Sequence, residues 1–416
     1  MIKVYIIPVM ISVFLLLVDL YVYQGYKVLI SGQTPLVQRN LKIVYWAVTL
    51  LSLILVWLSG GRTDDKRNLS TIARSVIMVQ YVPKFLSLIF LLLDDLIRLI
   101  RWISGFFSKT AQEVIEKTGG VPRSEFLMTA GAVTAATLIG GFTFGILKGA
   151  HDYRIRRRTI VLKNLPKAFH GFKIVQLSDI HSGSFWNKRA VIGGVEMVMA
   201  EKPEVILFTG DLVNDTAGEM RDYQPVFEKL SAPLGVYSVL GNHDYGDYVP
   251  WNSIEQKAQN LRDLATVQKN MGWDLLINEH RTLKVDNEML DIVGIENWGA
   301  KGRFPKYGKM DVAMKGTQDD VPKILLSHDP SHWRAQVLKE YPQVGLMLAG
   351  HTHGMQFGVE IPGVKWSPVQ YMYPEWADLY QEGDQQLYVN RGFGYIGFPG
   401  RLGITPEITV IELAAG

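Results

Sequence analysis

The chain has 416 residues, contains no cysteine and carries a formal net charge of +3. This length suggests two or three domains, and the absence of cysteine excludes disulfides, thiolate metal sites and a cysteine nucleophile. The charge is too small for a dedicated nucleic-acid-binding protein, so nucleic acid is not an expected partner. Any bound metal must be held by His, Asp, Glu or Asn, a donor set that favours Mg, Mn, Fe or Zn.

The first part of the chain contains four apolar runs, and crossing a bilayer takes about 20 residues. The runs begin at Val4, Ile43, Val76 and Phe126. The third run is interrupted by Pro83 and Lys84, whereas the fourth is rich in small residues that let helices pack closely in lipid. We therefore expect a helical membrane domain over residues 1–150, with about four transmembrane spans, and an integral cell membrane protein.

The side of the membrane on which the rest of the chain lies is left open by the sequence. Basic residues in the connections are nearly balanced between the two sides, so the positive-inside rule barely separates them. The stretch RSEFL at 123–127 is similar to a twin-arginine export signal, but Ser124 replaces the second arginine. Lys84 either marks a transport path or faces other parts of the protein, which is the interpretation we favour.

From His151 onwards, short apolar runs alternate with amphipathic stretches. Five runs are predicted to be buried strands, namely FKIVQLS, EVILFTG, GVYSVLG, KILLSH and VGLMLAG, which begin at residues 172, 204, 235, 323 and 344. Stretches that begin at Lys188 and Ser253 have helical periodicity, and two further strands are predicted near the C-terminus. Strands that alternate with helices indicate an α/β domain over residues 151–416.

The residues that can bind metals collect at the ends of these five strands. They are Asp179, His181, Asp211, Asn242, His243, Asp244, His328, Asp329, His351 and His353. In an open α/β sheet, ligands bind beyond the carboxyl ends of the strands. Because residues i and i+2 of an extended backbone project to the same side, we expect each D-x-H or H-x-H pair to point into one cavity. The set exceeds the needs of one metal and favours two adjacent divalent ions bridged by a carboxylate.

The ordered set D-x-H, G-D, G-N-H-D, a later His and G-H-x-H resembles the calcineurin-like metallophosphoesterase superfamily, in its bacterial membrane-associated branch. The resemblance covers about residues 155–416 and implies an α/β fold in which two mixed β-sheets are sandwiched between helices. It implies one metal held by Asp179, His181 and His353, a second held by Asn242, His328 and His351, and a bridge formed by Asp211. It also implies that His243 is the catalytic histidine, oriented by Asp244. The branch usually has glycine at the position of Met355.

The resemblance implies a metal-dependent phosphoric ester hydrolase that cleaves phosphate ester or pyrophosphate bonds. The membrane domain favours a lipid-linked substrate, although a phosphorylated small molecule is also expected to fit. Two alternatives stay open: a nucleotide or nucleic-acid phosphodiesterase, and a membrane sensor or transporter whose phosphoesterase domain is regulatory. The metal identity, the preference between monoesters, diesters and pyrophosphates, and the oligomeric state are not predicted.

Several residues outside the motifs have two interpretations each. Arg391 and Arg401 either grip a phosphate or stabilise the fold. His332 either supports the metal site or lies on an exposed helix. The loop at 297–310 is either a lid over the substrate or a solvated loop. The basic run at 154–158 either touches anionic lipids or forms the exposed face of a strand.

Overall fold

The computed structural model describes residues 2–58, 67–105, 123–302 and 304–416. The chain divides into two compact units, Met1–Phe144 and Gly145–Gly416. The helices of the first part of the chain are α1 (Ile2–Ile30), α2 (Pro35–Leu58), α3 (Arg67–Gly105) and α4 (Glu125–Leu147). Each is long and apolar enough to cross a membrane. The protein is therefore an integral membrane protein, as the sequence predicted.

The helices of the membrane unit present apolar side chains outwards. On α3, for example, Ile89 is 62% exposed and Leu92 is 59% exposed, which is the surface that lipid covers. Pro83 lies inside α3 without ending it. A proline removes one backbone hydrogen bond, and membrane helices tolerate this because neighbouring groups satisfy the freed carbonyl.

The second unit is built on fourteen strands among the described residues, and they form two six-stranded sheets and one hairpin. The strands are β1 (Arg154–Leu162), β2 (Lys173–Leu177), β3 (Val205–Phe208), β4 (Val236–Ser238), β5 (Asp274–Leu275), β6 (Glu279–Val285), β7 (Glu288–Gly294), β8 (Lys323–Leu326), β9 (Val344–Ala349), β10 (Val359–Ile361), β11 (Val364–Trp366), β12 (Asp378–Glu382), β13 (Gln385–Val389) and β14 (Glu407–Ala415).

Both large sheets are mixed. The first has the order β1-β14-β2-β3-β4-β5, in which β2 to β5 are parallel and β14 runs antiparallel to β2. The second has the order β12-β13-β9-β8-β7-β6, in which β13, β9, β8 and β7 are parallel. The parallel strands of each sheet therefore end at a common edge, where their following loops collect.

The main core lies between the two sheets. It joins side chains such as Ile174 and Leu207 of the first sheet to Ile324 and Leu346 of the second. The helices between the strands of the first sheet are α5 (Lys188–Ala200), α6 (Gln224–Phe227) and α7 (Ile254–Asn270). Helices α5 and α7 cover its outer face. The outer face of the second sheet is covered by α8 (Met310–Ala313), a helical turn at Trp333–Val337 and α9 (Leu338–Glu340). The predicted sandwich of two mixed sheets between helices is confirmed.

The basic run at 154–158 forms the start of β1, and its arginines are paired within the unit. Arg156 contacts Glu360 at 2.7 Å and Arg158 contacts Asp378 at 2.8 Å. The pKa of Asp378 is lowered to about 2 because Arg158 and Arg391 outweigh the effect of burial. These pairs favour the strand-face interpretation over contact with anionic lipids.

Candidate metal centre

The loops that follow β2, β3, β4, β8 and β9 meet at one edge of the sandwich. They carry every candidate ligand that the sequence indicated. Two groups of side chains among the described residues place their ligand atoms within 4.8 Å of one another: Asp179, His181 and His353 form one group, and Asp211, His328 and His351 form the other. The structure therefore brings together all of these residues, and it separates them into two neighbouring clusters.

The first cluster is buried, and His353 is its most exposed member at 5%. The Nε2 atoms of His181 and His353 are 3.0 Å apart, and Oδ1 of Asp179 lies 3.2 Å from Nε2 of His353. Burial lowers the pKa of His181 well below its usual value, so its imidazole is neutral at neutral pH. A neutral imidazole and an ionised carboxylate are the protonation states that a metal ligand requires.

The second cluster contains Asn242 as well as the two histidines. Oδ1 of Asn242 lies 2.9 Å from Nδ1 of His351, and Nε2 of His328 lies 3.3 Å from the same atom. Nδ1 of His328 is 2.7 Å from the carbonyl oxygen of Thr209, to which it donates. That bond makes Nδ1 the donor to the backbone, so Nε2 is the nitrogen that faces the cluster and that would bind a metal after losing its proton.

Asp211 connects the two clusters. Its Oδ2 atom lies 3.5 Å from Nε2 of His181 and 3.1 Å from Nε2 of His328. Burial opposes the charging of His328, but the Asp211 carboxylate outweighs burial and raises the pKa of His328 to about 10. The negative charge of Asp211 thus stabilises a proton on the buried ring of His328. A buried site with this negative charge also attracts a divalent cation.

The backbone of the ligand loops is not extended, in contrast to the expectation from the sequence. The D-x-H and H-x-H pairs were expected in extended backbone, but β2 ends at Leu177 and β9 ends at Ala349. Five of the candidate ligands instead have left-handed φ values, and they are Asp179 (53°), His181 (47°), Asp211 (61°), His351 (70°) and His353 (51°). Such backbone costs energy for residues other than glycine and is concentrated at functional sites.

The glycines of the G-H-T-H-G stretch permit this tight backbone. A Cβ atom on Gly350 would overlap the side chains of Ser178 and Asp179. The backbone N–H of His351 donates to both carboxylate oxygens of Asp179 at 3.0 Å. The two histidines of the stretch consequently diverge: His351 joins the second cluster and His353 joins the first.

The structure places the carboxylate of Asp244 against backbone N–H groups, whereas it was expected to orient the ring of His243. Its carboxylate accepts hydrogen bonds from four backbone N–H groups, those of Asp211, Leu212, Val213 and Gly241, at 2.8 to 3.2 Å. These bonds hold the loops after β3 and β4 together, and both carboxylate oxygens are occupied by them. Asp244 therefore positions the backbone of Asp211 rather than the ring of His243.

The ring of His243 is held by a different residue. Its Nδ1 atom lies 2.8 Å from the carbonyl oxygen of Asn214, which makes Nδ1 a donor. The ring packs between Tyr248, at 4.5 Å, and His181, at 5.0 Å between ring centroids. The hydrogen bond to Asn214 therefore occupies Nδ1 of His243 and not Nε2.

Two arginines near the site serve the fold. Arg391 is fully buried and contacts Glu407 at 2.6 Å and Glu360 at 2.7 Å. Arg401 is 1% exposed and donates to the carbonyl oxygens of Arg391, Gly392 and Gly394. One of its nitrogens also lies 3.2 Å from Nδ1 of His353. Neither guanidinium is exposed to a substrate, so the phosphate-gripping interpretation is wrong for both.

The remaining candidates divide between the site and the core. His332 is buried against Ser327 and Gln336, at 3.0 and 2.9 Å, and is not an exposed helix residue. The loop at 297–310 reaches the site, because the ring of Phe304 lies edge-on to His351 at 4.7 Å. This contact agrees with the lid interpretation, although Arg303 lies outside the described residues.

Sequence reasoning missed two aromatic partners of the ligands. The hydroxyl of Tyr373 lies 3.0 Å from Nε2 of His351, on the side of the ring that faces away from the cluster. The hydroxyl of Tyr248 accepts a hydrogen bond of 2.8 Å from Nδ2 of Asn242. Each fixes the orientation of a candidate ligand. Tyr248 follows the G-N-H-D motif closely, but no motif marks Tyr373.

Comparisons with known proteins agree with this geometry. A family described as "Calcineurin-like phosphoesterase" matches residues 172–355, and one described as "Probable Calcineurin-like phosphoesterase, transmembrane domain" matches residues 3–150. The chain is 31% identical over 290 residues to the uncharacterized metallophosphoesterase YkuE of Bacillus subtilis, which covers 69% of this chain and 93% of that protein.

Two further relatives carry names of enzymes. The phosphodiesterase YaeI of Escherichia coli is 26% identical over 301 residues, which is 70% of this chain and 99% of that protein. The UDP-2,3-diacylglucosamine pyrophosphatase LpxG of Chlamydia trachomatis is 29% identical over 280 residues, which is 56% of this chain and 81% of that protein. The two buried Asp/His clusters, the sandwich fold and these matches together show that the chain belongs to the calcineurin-like metallophosphoesterases, as a membrane-associated, metal-dependent phosphoester hydrolase.

Proposed function

We propose that the chain binds two divalent ions and uses them to hydrolyse a phosphate ester or pyrophosphate bond of a lipid-linked substrate. One ion would be held by Asp179, His181 and His353, and the other by Asn242, His328 and His351. The observation that carries the proposal is the position of Asp211, whose Oδ2 atom lies 3.5 Å from a histidine of one cluster and 3.1 Å from a histidine of the other. When bound, the two ions supply the Lewis acidity that makes water a nucleophile at neutral pH.

His243 is proposed to serve the leaving group. Because Nδ1 donates to the carbonyl oxygen of Asn214, the ring has a fixed orientation and only Nε2 changes its protonation during a reaction. A proton on Nε2 is available to the leaving oxygen or to the phosphoryl oxygens, whose charge rises in the transition state. The backbone N–H of His243 also donates to Oδ1 of Asp211 at 2.8 Å, which ties the proton donor to the proposed bridging ligand.

An exposed apolar face borders the site and supports the lipid part of the proposal. In the hairpin of β10 and β11, Val359 is paired with Trp366 and Ile361 with Val364, so these four side chains share one face. Val359, Ile361 and Val364 are 43%, 58% and 49% exposed. Scattered apolar residues on a surface are ordinary, whereas apolar side chains that share one face offer a surface that acyl chains are able to cover.

The opposite face of the hairpin is fastened to the unit. Glu360 accepts hydrogen bonds from Arg156 and Arg391 at 2.7 to 3.0 Å. Lys365 donates to the carbonyl oxygen of Ala377 at 2.8 Å, and its ammonium lies 5.3 Å from the ring of Trp376. The apolar face is therefore held outwards by the charged face behind it.

The apolar face continues to the ligand loop. Ser367, directly after β11, donates to the carbonyl oxygen of Gly354 at 2.8 Å. The next residue, Met355, is 53% exposed and lies two positions after the candidate ligand His353. Acyl chains on this face would place an attached phosphate within reach of the two clusters. The name of the Chlamydia relative, a pyrophosphatase of a diacylglucosamine nucleotide, supports the same substrate class.

The test compares two phosphodiesters with the same leaving group, one with a short soluble chain and one with long chains embedded in phosphatidylcholine vesicles. The full-length protein is assayed with manganese. We expect the double variant Ile361→Ser and Val364→Ser to lose several-fold turnover of the long-chain diester while it retains turnover of the short one. Ile277→Ser, at an isoleucine that is 42% exposed on another loop, is the matched control. Equal turnover of the long-chain diester by the double variant and the parent protein would contradict the lipid proposal.

A further inference from the structure

The membrane unit contains a cavity of its own, which the phosphoesterase chemistry does not explain. It has a volume of about 400 Å³ and is lined by residues of α1, α2, α3 and α4. Val22, Val48, Phe90 and Leu127 are among the lining residues, one from each helix. Ligand sites are typically cavities of about 300–1,000 Å³ with a mostly apolar lining and a few polar groups, and this cavity meets that description.

The space exists because α4 presents small side chains to it. Ala132, Ala135 and Ala136 line the cavity together with Gly131. A small-residue stripe usually lets two membrane helices approach closely. Here the three alanines border the cavity, so their small side chains leave room for it, while Gly131 packs against Phe90.

The cavity also has a polar wall on α3. Gln80 and Lys84 both line it, and their spacing of four residues places them on one face of the helix. Gln80 is 9% exposed, and its Oε1 atom accepts a hydrogen bond from the hydroxyl of Ser52, whereas its Nε2 atom has no hydrogen-bond partner among the described residues. An amide N–H without a partner is costly inside a membrane, which favours a ligand oxygen close to Gln80.

The charge of Lys84 is already balanced. Its ammonium contacts the fully buried Asp19 at 2.5 Å, and the hydroxyls of Tyr81 and Tyr45 donate to the same carboxylate at 2.6 and 3.1 Å. This ion pair supports the interpretation that Lys84 faces other protein. An ammonium has three donors, so Lys84 is able to donate to a neutral oxygen of a ligand without a further countercharge.

The position of this polar wall limits the charge that the ligand can carry. Gln80 and Lys84 lie inside the apolar span Thr71–Gly105 of α3, and they precede Asp94, which pairs with Arg123 at 3.1 Å. A charged phosphate headgroup is expensive inside a membrane span, so a neutral oxygen is the expected partner.

We propose that this cavity binds a neutral long-chain lipid whose hydroxyl or carbonyl oxygen contacts Lys84 and Gln80. The apolar lining holds the chain, and the two α3 side chains hold the oxygen. The inference does not depend on phosphoesterase activity, because the cavity and its polar wall belong to the membrane unit alone.

The test uses the full-length protein in phosphatidylcholine vesicles that contain a photoactivatable long-chain alcohol. We expect cross-links on the cavity side of α4, around Ala135, and several-fold weaker labelling when an excess of unlabelled hexadecanol is added. The competition requires no variant. Ala135→Phe, which fills the cavity, is expected to reduce labelling several-fold, whereas Val133→Phe, at a position that is 59% exposed and outside the lining, is expected to leave it unchanged.

A phosphorylated form of the same probe separates the proposed ligand from phospholipids. It is expected to label the α4 lining several-fold less than the alcohol. Equal labelling by both probes, labelling that hexadecanol does not reduce, or equal labelling of Ala135→Phe and Val133→Phe would each overturn the proposal.

Discussion

The Nε2 atoms of His181 and His353 face each other at 3.0 Å, although 172 positions separate the two residues in the chain. Two imidazole nitrogens at this distance are able to share a proton or a cation. Oδ1 of Asp179 lies 3.2 Å from one of them, so three donors converge on one point. This convergence of three ligand atoms favours the binding of a divalent ion between them.

Removal of metal should therefore affect both activity and stability. We expect the chelator-treated, full-length protein to lose phosphodiester hydrolysis and to unfold at a lower temperature, because the buried donors lose their shared partner. An ion present at 1,000 times its dissociation constant stabilises the folded state by about 4 kcal/mol. Activity and thermal unfolding, measured before and after manganese is restored, check this. Unchanged activity at chelator concentrations that strip the metal would contradict it.

Asp244→Asn should lower the stability of the fold, and not only alter proton transfer by His243. The carboxylate of Asp244 accepts hydrogen bonds from backbone N–H groups, for example those of Asp211 and Gly241. The NH2 group of the substituted amide is a donor, so it would face such N–H groups without being able to accept from them. We expect a loss of about 2 kcal/mol in the free energy of unfolding together with reduced activity. Asp263→Asn, at an exposed carboxylate on α7, is the control. A variant with parental stability and only a shifted pH profile would restore the expected role of Asp244 in orienting His243.

Met355→Gly should stabilise the protein. Met355 has φ 55° and ψ 14°, in the left-handed region, where a residue with a Cβ costs roughly 1–2 kcal/mol. Part of this gain is offset by the greater freedom of glycine in the unfolded chain. Met372 is similarly exposed but has φ −102°, so Met372→Gly should not stabilise. If the unfolding temperature rises in both variants, or falls in both, the strain assigned to Met355 is contradicted.

Acid should destabilise the protein through His332. Burial lowers the pKa of His332 from 6.5 to about 4, so the neutral ring is favoured in the folded state. The stabilisation is complete above pH 6.5 and is lost as the pH falls towards 4, and the full span amounts to about 3 kcal/mol. His332→Gln should flatten the pH dependence of the unfolding temperature across this window, whereas His280→Gln, at a half-buried ring, should retain it. An unchanged slope in His332→Gln would contradict the assignment.

The sequence allowed the interior of the fold to be predicted because its central strands are short apolar runs that end in glycine or polar residues. The runs that begin at 172 and 344 correspond to β2 and β9. The edge strand β6 (Glu279–Val285) was missed. Its residues are mostly polar and exposed or half-buried, so its pairing with β7 depends on tertiary contacts that local periodicity does not reveal.

The candidate site was predictable as a set of residues, but its local geometry was not. Motif order identified His351 and His353, whereas their divergence between clusters depends on left-handed backbone beyond the strand. The contact of Tyr373 with His351 joins separate loops and left no signal in the sequence. Asp19, in contrast, is visible in the sequence as a single acid within an apolar span. Such an acid indicates a buried partner, and the structure shows that this partner is Lys84.

The position of Asp211 between the clusters is the central claim about the site, and Asp211→Asn tests it most directly. The measurement is the divalent metal content per chain, taken with the hydrolysis of a chromogenic phosphodiester by the full-length protein. We predict that the parent protein holds two ions per chain and that the variant holds fewer, hydrolyses the diester at least a hundred-fold more slowly, in line with loss of an essential charged group (about 3 kcal/mol), and stays folded. A variant that keeps both ions and full activity would contradict the two-metal account.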